Sequence, residues 1–220
     1  MIEAVIFDID GTLVDSVDLH ARAWQRAFAK FGKNIAFEAV RTQIGKGADQ
    51  LMPVYFSTQE LDHFGEEMET YRGELFKEEY LPKVKAFPKV RQLFERLRGD
   101  NKLISLASSA KKDELERYKE IAQIGDLIDS ETSSDDVEKS KPCPDVFNVA
   151  LNQLEIDPEN VAVVGDTPYD AEAARKARLK SIGVLCGGWT QSQLQRAGCI
   201  AIYRDPADLL TRYDESPLGS

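Results

Sequence analysis

The hydrophobic residues of the chain form short apolar runs that alternate with longer amphipathic stretches. Runs of strand length occur at Ala4–Phe7, Leu103–Ala107, Leu127–Ile128, Val161–Val164, Ser181–Leu185 and Ile200–Tyr203. Stretches with the spacing of an amphipathic helix lie between most of these runs. Strands that alternate with helices predict an α/β fold, in which helices cover both faces of a parallel sheet.

Prolines, glycines and capping residues predict where the core helices begin and end. Apolar stripes with helical spacing follow Pro88 and Pro144, and the first of them ends near Gly99. Thr167 and Asp205 each precede a proline, which is typical of an N-cap followed by the first helical residue. The predicted helices therefore fall between the predicted strands.

One long segment departs from this alternation. Between residues 15 and 82 the apolar residues keep helical spacing, and no convincing strand interrupts them. Its two stripes are Trp24, Ala27, Phe28 and Phe31, followed by Leu61, Phe64, Met68, Tyr71 and Leu75. We predict an all-helical insertion over 15–82 in a core made of 1–14 and 83–220, with Asp15 and Ser16 capping its first helix.

Composition is typical of a globular protein. The chain has 220 residues, 42% hydrophobic and 30% charged, which is enough for one core with a sizeable insertion. Its formal net charge of −10 disfavours nucleic-acid binding, because a phosphate backbone would be repelled. Three widely spaced cysteines without a CxxC pair predict reduced thiols in a cytoplasmic protein. No apolar stretch approaches about 18 residues, so no membrane span is expected; a monomer is consistent with the sequence.

Polar residues that can carry chemistry follow the predicted strands. They are Asp8, Asp10, Ser108, Ser109, Lys141, Asp166 and Asp170. Because open parallel sheets bind ligands at the carboxyl ends of their strands, these residues are expected to meet at one edge of the sheet.

Asp8, Asp10 and Asp166 would bring three negative charges together at this edge. Two unit charges about 4 Å apart repel by about 4 kcal/mol at an effective dielectric constant of about 20. The cluster therefore requires a cation or protonated members, and Mg²⁺ is a hard ion that prefers oxygen ligands. With Mg²⁺ and Lys141 present, the cleft would suit a phosphoryl group.

Four segments, in this order, resemble the signatures of the haloacid dehalogenase-like superfamily. They are Asp8–Leu13, Leu106–Ser109, Ser140–Asp145 and Gly165–Asp170. The helical insertion after the first segment resembles the cap of the phosphoglycolate phosphatase and β-phosphoglucomutase branch. The resemblance covers almost the whole chain, and it implies a three-layer Rossmann-like core with an inserted all-helical cap domain.

The resemblance also implies catalytic roles. Asp8 would be the nucleophile that forms an aspartyl-phosphate. Asp10 would protonate the leaving oxygen and then activate the water that hydrolyses this intermediate. Ser108 and the backbone N–H of Ser109 would hold phosphoryl oxygens, whose charge Lys141 would stabilise.

In the same way the resemblance implies a magnesium site. Mg²⁺ would be bound by Asp8, the backbone carbonyl of Asp10 and Asp166, with Asp170 beside these ligands. Asp170 also follows Thr167 at the spacing of a capping box, so a purely structural role is an equal alternative.

Two residues of the insertion are candidates for substrate contact. His20 lies one helical turn before Trp24 on the same face, and it is interpreted first as a partly buried residue at the border between cap and core. A proton-transfer role is its second interpretation, because the related mutases have a histidine in a similar setting. Lys46 lies in a loop that faces the active site in similar proteins, although a lone lysine is more often simply exposed.

The leading functional hypothesis is Mg²⁺-dependent hydrolysis of a small phosphorylated metabolite. Asp10 argues against cleavage of a carbon–halogen bond, because dehalogenation needs no such acid. A β-phosphoglucomutase-like isomerase is an alternative, although the loop at Gly45–Ala48 lacks the arginine of those enzymes. A non-enzymatic receiver module is the alternative of another class, and the insertion of about 70 residues argues against it.

Overall fold

A computed structural model describes residues 1–219, and its centre is a parallel β-sheet. The strands of the described chain are β1 (Ala4–Phe7), β2 (Val14–Asp15), β3 (Lys85–Ala86), β4 (Leu103–Ala107), β5 (Ser130–Thr132), β6 (Val161–Gly165), β7 (Lys180–Val184) and β8 (Ala201–Tyr203). Six of them form one sheet in the order β5-β4-β1-β6-β7-β8, with every neighbouring pair parallel. The predicted parallel α/β fold is confirmed.

Helices account for most of the remaining regular structure. The α-helices are α1 (Val17–Lys30), α2 (Phe37–Arg41), α3 (Ala48–Leu51), α4 (Thr58–Leu75), α5 (Val90–Gly99), α6 (Lys112–Ala122), α7 (Asp145–Leu154), α8 (Pro168–Lys176), α9 (Gln191–Ala197) and α10 (Pro206–Thr211). Short 3₁₀ turns lie at Met52–Val54, Leu81–Lys83, Gly125–Leu127, Ser134–Asp136, Pro158–Asn160 and Tyr213–Glu215, and a π-helical turn at Phe76–Tyr80. Within residues 1–219, no helix is both long and apolar enough to cross a membrane.

The sheet is covered on both faces because successive strand residues point to opposite sides. Val5 and Phe7 of β1 belong to one hydrophobic cluster, which includes side chains of α5 and α6. Ala4 and Ile6 belong to a second cluster, which α7 and α8 complete. This alternation produces the three layers expected from the sequence.

The segment between β2 and β3 has a hydrophobic core of its own. A third cluster is built wholly from residues between Val17 and Tyr71, including Trp24, Phe28 and Met68. Strands β2 and β3 pair antiparallel at the base of this segment. A separate core supports the proposed helical cap, while its boundaries at 14/15 and 82/83 stay a prediction.

Two local predictions are wrong. The edge strand forms at Ser130–Thr132 and not at Leu127–Ile128, because Leu127 ends a 3₁₀ turn and packs with Ile128 against the core. Ser16 occupies the N-cap position of α1 but makes no side-chain cap bond, since its hydroxyl donates to Asp10. Asp15 is also no cap, because it lies in β2.

Candidate active site

Strand register brings three segments of the chain to one edge of the sheet. Phe7 is level with Leu106 of β4 on one side and with Val164 of β6 on the other. Asp8 therefore emerges at the same height as the ends of both neighbouring strands, and its N–H donates to the carbonyl of Val164 at 2.9 Å. The expected convergence at the carboxyl edge of the sheet is confirmed.

Lys141 lies at the centre of this edge and is fully buried. Its Nζ donates to Asp8 Oδ1 at 2.5 Å and to the carbonyl oxygen of Ala107 at 3.0 Å. It also lies 2.8 Å from Asp170 Oδ1. Burial alone would lower the pKa of Lys141, but Asp170 and Asp8 raise it above its usual value, so the side chain is a cation.

Three buried carboxylates surround that single cation. Oxygen atoms of Asp8, Asp166 and Asp170 lie within 4.8 Å of one another. Burial raises the pKa of Asp8 to about 7, an increase that Lys141 opposes and Asp170 reinforces. Burial and the charges of Asp8 and Asp170 also raise the pKa of Asp166. The cluster therefore has more negative charge than its own residues neutralise.

Asp166 provides the test of whether these residues fit a metal ion. Its Oδ1 accepts a hydrogen bond from Thr12 Oγ1 at 3.1 Å, whereas its buried Oδ2 has no partner among residues 1–219. A Cβ at Gly187 would overlap the Asp166 carboxylate, and one at Gly11 would lie 2.6 Å from Oδ2. Gly11 also has a φ of 82°, which favours glycine. A buried oxygen with no donor, among other carboxylates, fits a hard divalent cation such as Mg²⁺.

Asp10 lies beside this cluster and is held by a hydroxyl and an imidazole donor. Ser16 Oγ donates to Asp10 Oδ1 at 2.5 Å, and His20 Nε2 lies 2.9 Å from the same oxygen. Burial by itself would raise the pKa of Asp10, but the contacts with His20 and Ser16 and the charge of Arg72 lower it below its usual value. Asp10 is therefore a carboxylate in the substrate-free protein.

Arg72 determines which nitrogen of His20 carries the proton. Arg72 Nη2 lies 2.6 Å from His20 Nδ1, and a guanidinium can only donate, so Nδ1 accepts. The proton of a neutral His20 is then on Nε2, which faces Asp10 Oδ1 and the hydroxyl of Tyr118, each at 2.9 Å. The ring of Phe76 stacks on the imidazole with centroids 3.9 Å apart and fixes its plane.

The same arginine joins the helical segment to the core. Arg72 Nη1, on α4, lies 3.4 Å from Oε1 of Glu114, which is buried on α6. Tyr118 lies one turn further along α6 and contacts His20 of α1. Helices α1, α4 and α6 therefore meet at Asp10, which makes the surroundings of this carboxylate depend on the position of the cap.

Two adjoining cavities open from these residues. The inner one is small, about 40 Å³, and Asp8, Asp10, His20 and Ser109 are among its lining residues. The outer one measures about 250 Å³ and extends between the cap and the core loop that follows β5. They share the lining residues Trp24, Lys46, Arg72, Ser109 and Ala110. A small group at Asp8 could thus carry a larger substituent into the outer cavity.

Comparison with known proteins identifies the family. The sequence profile of the haloacid dehalogenase-like hydrolases matches residues 5–184. The chain belongs to the haloacid dehalogenase-like hydrolases. This membership is the one that the four sequence segments predicted.

Relatives of this hydrolase extend over nearly its full length. The phosphorylated carbohydrates phosphatase of Thermotoga maritima is 28% identical over 210 residues, which cover 94% of this chain and 96% of that protein. The phosphoglycolate phosphatase of Nitrosospira multiformis is 31% identical over 183 residues, 80% of each chain. A hydrolase structure from Pseudomonas syringae superposes with a TM-score of 0.85 at 28% identity, covering 96% of this chain and 98% of that one.

Two residues that the signatures of this hydrolase single out make different contacts, one within a turn and one with the inserted segment. Ser108 is buried, and its Oγ accepts from the N–H of Ala110 at 3.0 Å in a turn. Ser109 lines the inner cavity, and its Oγ donates to the carbonyl oxygen of Gly45 at 3.3 Å. Their contacts with a phosphoryl group stay a prediction.

Asp170 makes the capping-box contact and also lies in the acidic cluster, so its contacts agree with both of the roles that the sequence left open. Its Oδ2 accepts from the N–H of Thr167 at 3.0 Å and from the hydroxyl of Thr167 at 2.6 Å, so the predicted capping box is present. Its Oδ1 faces Lys141 within the acidic cluster. The carboxylate caps α8 and contributes negative charge to the candidate metal site at once.

The two candidates from the cap both lie at the cavities. His20 is buried at the border between cap and core, as its first interpretation predicted. Lys46 lines both cavities, donates to Gln43 Oε1 at 2.7 Å and stands 4.8 Å above the ring of Tyr169. Partial burial lowers the pKa of Lys46.

Sequence reasoning missed the partners of Asp10 and His20. Glu114 and Tyr118 are four residues apart on α6 and share one helical face, but this spacing is also common on ordinary surface helices. Arg72 has no local sequence feature that places it at the cavity. The position of Glu114 next to the apolar Leu115 is a weak local signal.

Proposed function

We propose that this hydrolase is a Mg²⁺-dependent phosphatase that acts on a small phosphate monoester through an aspartyl-phosphate. The observation that carries the proposal is the placement of Asp8 at the junction of all the required groups. One of its oxygens contacts Lys141, its neighbours Asp166 and Asp170 complete an acidic cluster, and Asp10 faces the same cavity.

The first half of the reaction transfers the phosphoryl group to the protein. A carboxylate oxygen of Asp8 attacks phosphorus, and the bond from phosphorus to the ester oxygen breaks. Asp10 gives a proton to the departing oxygen. Because a phosphoryl dianion next to Asp10 favours the protonated carboxyl group, substrate binding would supply the acid form that the substrate-free protein lacks.

The second half returns the protein to its starting state. Asp10, now a carboxylate, takes a proton from water, whose oxygen attacks phosphorus and displaces Asp8. Inorganic phosphate leaves, Asp10 releases its proton to solvent, and both carboxylates are regenerated. His20 and Ser16 hold Asp10 in one orientation through both halves.

Charge on the transferred group is stabilised from the core side. Lys141, the hydroxyl of Ser108 and the N–H of Ser109 would contact phosphoryl oxygens. Asp8, Asp166 and the carbonyl of Asp10 would hold Mg²⁺, with Asp170 beside them. Bound Mg²⁺ supplies positive charge that offsets the negative charge of both the carboxylates and the phosphoryl group.

The test is phosphate release from p-nitrophenyl phosphate, with Mg²⁺ and with EDTA. We expect multiple turnovers with Mg²⁺, none with EDTA, and none in Asp8→Asn. Asp62→Asn, an exposed aspartate on α4, is the matched control and keeps full activity. Turnover that survives Asp8→Asn, or turnover that EDTA does not affect, contradicts the proposal.

The relatives support a small phosphorylated metabolite as the substrate. Their names give a phosphorylated carbohydrate in one case and phosphoglycolate in the other. The dephosphorylated product of a phosphorylated carbohydrate is a neutral alcohol, whereas that of phosphoglycolate is a carboxylate anion. The names of the relatives alone do not select between these two substrates. A cytoplasmic location and a monomeric state stay predictions of the sequence.

A β-phosphoglucomutase-like isomerase is a second candidate, favoured by one observation. His20 contacts Asp10 at 2.9 Å, which places a possible proton carrier next to the acid–base group. Conversion of β-glucose 1-phosphate to glucose 6-phosphate without release of phosphate would support this function. A receiver module would instead accept one phosphoryl group without turnover, and a single-turnover burst would identify it.

A further inference from the structure

The outer cavity is walled by the core as well as by the cap. The core loop between β5 and α7 contributes Asp135, Glu138 and Ser140 to its lining. The cap contributes Lys46, Asp49 and Arg72 from the opposite side. A substituent on the phosphoryl group would therefore contact Asp135, Glu138 and Ser140 of the same core loop that supplies Lys141.

The cations of this cavity are mostly paired already. Arg72 contacts the carboxylate of Glu114 at 3.4 Å, and Lys111 contacts that of Glu69 at 3.1 Å. Lys46 bonds to an amide oxygen, and no carboxylate of the described chain lies within ion-pair distance of it. One cation without a carboxylate partner is thus left in the lining.

The acids are in excess. Asp49 accepts from the N–H of Ser140 at 3.1 Å and from its hydroxyl, and Asp135 accepts from the N–H of Lys112 at 3.1 Å. These donors are neutral backbone or hydroxyl groups, so they do not pair either carboxylate with a cation. Glu138 is exposed and has no hydrogen bond or ion pair within residues 1–219. Three acids without a cationic partner therefore face one unpaired lysine. Their excess negative charge would repel a second anionic group on a substrate.

The cavity also lacks an open aromatic platform for a base. Trp24 is 4% exposed, and its ring is covered by the guanidinium of Arg72 at 5.2 Å and by the ring of Phe28 at 5.4 Å. The remaining walls are mainly carboxylates, lysines and serines, which exchange hydrogen bonds with hydroxyl groups. Many hydroxyl groups and no negative charge are therefore the properties that match this surface.

We infer that the outer cavity takes a polyhydroxylated leaving group without negative charge, so that the substrate is a phosphorylated sugar or polyol, and that Glu138 and Asp135 of the core loop select against a second anionic group. This inference rests on the proposed phosphatase function of the same site. It assigns part of the substrate selection to the core, opposite the cap.

The experiment compares kcat/KM for a hexose 6-phosphate and for phosphoglycolate in native protein and Glu138→Lys. We expect the native protein to prefer the sugar phosphate by at least roughly tenfold, and Glu138→Lys to reduce that ratio by roughly threefold to tenfold through a lower KM for phosphoglycolate. Glu159→Lys is the matched control, because it makes the same change of charge on an exposed residue before β6, at the opposite end of the sheet. It leaves the ratio unchanged.

Failure of the inference can be told from failure of the proposed function. If the protein hydrolyses p-nitrophenyl phosphate but its kcat/KM for phosphoglycolate equals or exceeds that for the sugar phosphate, only the inference is overturned. The same holds if neither Glu138→Lys nor Glu159→Lys changes the ratio of the two kcat/KM values. Absence of all hydrolysis overturns the phosphatase function. In that case calorimetry with the native protein decides the inference, which fails if phosphoglycolate binds as tightly as the sugar phosphate.

Discussion

The two sides of the inner cavity balance charge in different ways. On the core side, Asp8, Asp166 and Asp170 surround the single cation Lys141, and Asp166 keeps a buried oxygen without a donor. On the cap side, Asp10 is surrounded by hydroxyl and imidazole donors, and the charge of Arg72 is shared with Glu114. Among residues 1–219, the three acids of the core side share one cation, whereas on the cap side Arg72 and Glu114 pair charge with charge, although Arg72 Nε and Glu114 Oε2 have no hydrogen-bond partner.

The largest expected effect comes from removing the single cation of the core side. Lys141→Met should lower kcat/KM on the order of 1,000-fold. In EDTA it should also lower the free energy of unfolding by about 3–5 kcal/mol, because three buried carboxylates lose their counter-charge. Urea denaturation measures the second effect. Lys176→Met, which removes an exposed lysine, is the control and costs less than about 1 kcal/mol.

Removing one acid from the same side should act in the opposite direction. In EDTA, Asp166→Asn is expected to raise the free energy of unfolding, because it relieves repulsion from Asp8 and Asp170. Mg²⁺ at 100 times its Kd should stabilise the native protein by about 2.7 kcal/mol, and this gain should be lost in the variant. Thermal melts with and without Mg²⁺ test both parts, with Asp62→Asn as control. An unchanged Mg²⁺ response would contradict the proposed ligand.

On the cap side, stability should depend on a pair and not on Mg²⁺. Arg72→Met is expected to cost about 2 kcal/mol, because it leaves the buried Glu114 without a counter-charge. Adding Glu114→Gln should restore at least about 1 kcal/mol in a double-mutant cycle. Simple additivity of the two changes would show that the 3.4 Å contact carries no coupling. Arg91→Met, which breaks an exposed pair with Asp126, provides the comparison.

The smallest expected effect tests whether Ser16 acts as a helix cap or orients Asp10. Ser16→Ala should change the free energy of unfolding by less than about 0.5 kcal/mol, because Ser16 makes no cap bond, yet lower kcat roughly tenfold through loss of its bond to Asp10. Thr190→Ala is the matched control. Thr190 does cap α9, so this change should cost about 1 kcal/mol and leave kcat unaltered. The reverse pattern would assign Ser16 to capping.

The core side was predictable from the sequence where its residues follow recognisable apolar runs, whereas Lys141 lies in a loop and was singled out by the resemblance of Ser140–Asp145 to a family signature. Asp8 and Asp166 directly follow or end strands whose burial is complete, and parallel pairing then places those ends at one level. Local signals were weaker for β5, the outermost strand on one side of the sheet. Leu127 and Ile128 are apolar enough for a strand, yet they pack beneath a turn, and the strand forms three residues later.

The cap side was not predictable because its contacts join residues far apart along the chain. His20 meets Tyr118 across 98 positions, and Arg72 meets Glu114 across 42. Each of them lies on an amphipathic helix, where a polar residue normally faces solvent. No local pattern distinguishes an arginine that faces water from one that faces a buried glutamate.

The sequence by itself therefore determined the alternation of strands and helices along the chain, the edge of the sheet at which the candidate residues meet, and the four acids and one lysine proposed there. Apolar periodicity and strand ends are local properties, and parallel pairing translates them directly into position. Only the tertiary structure decided that Ser16 holds Asp10, that Arg72 sets the proton of His20, and that Glu138 faces the outer cavity. Those contacts depend on how the cap helices pack against the core, which is set by the fit of whole surfaces and not by any short segment.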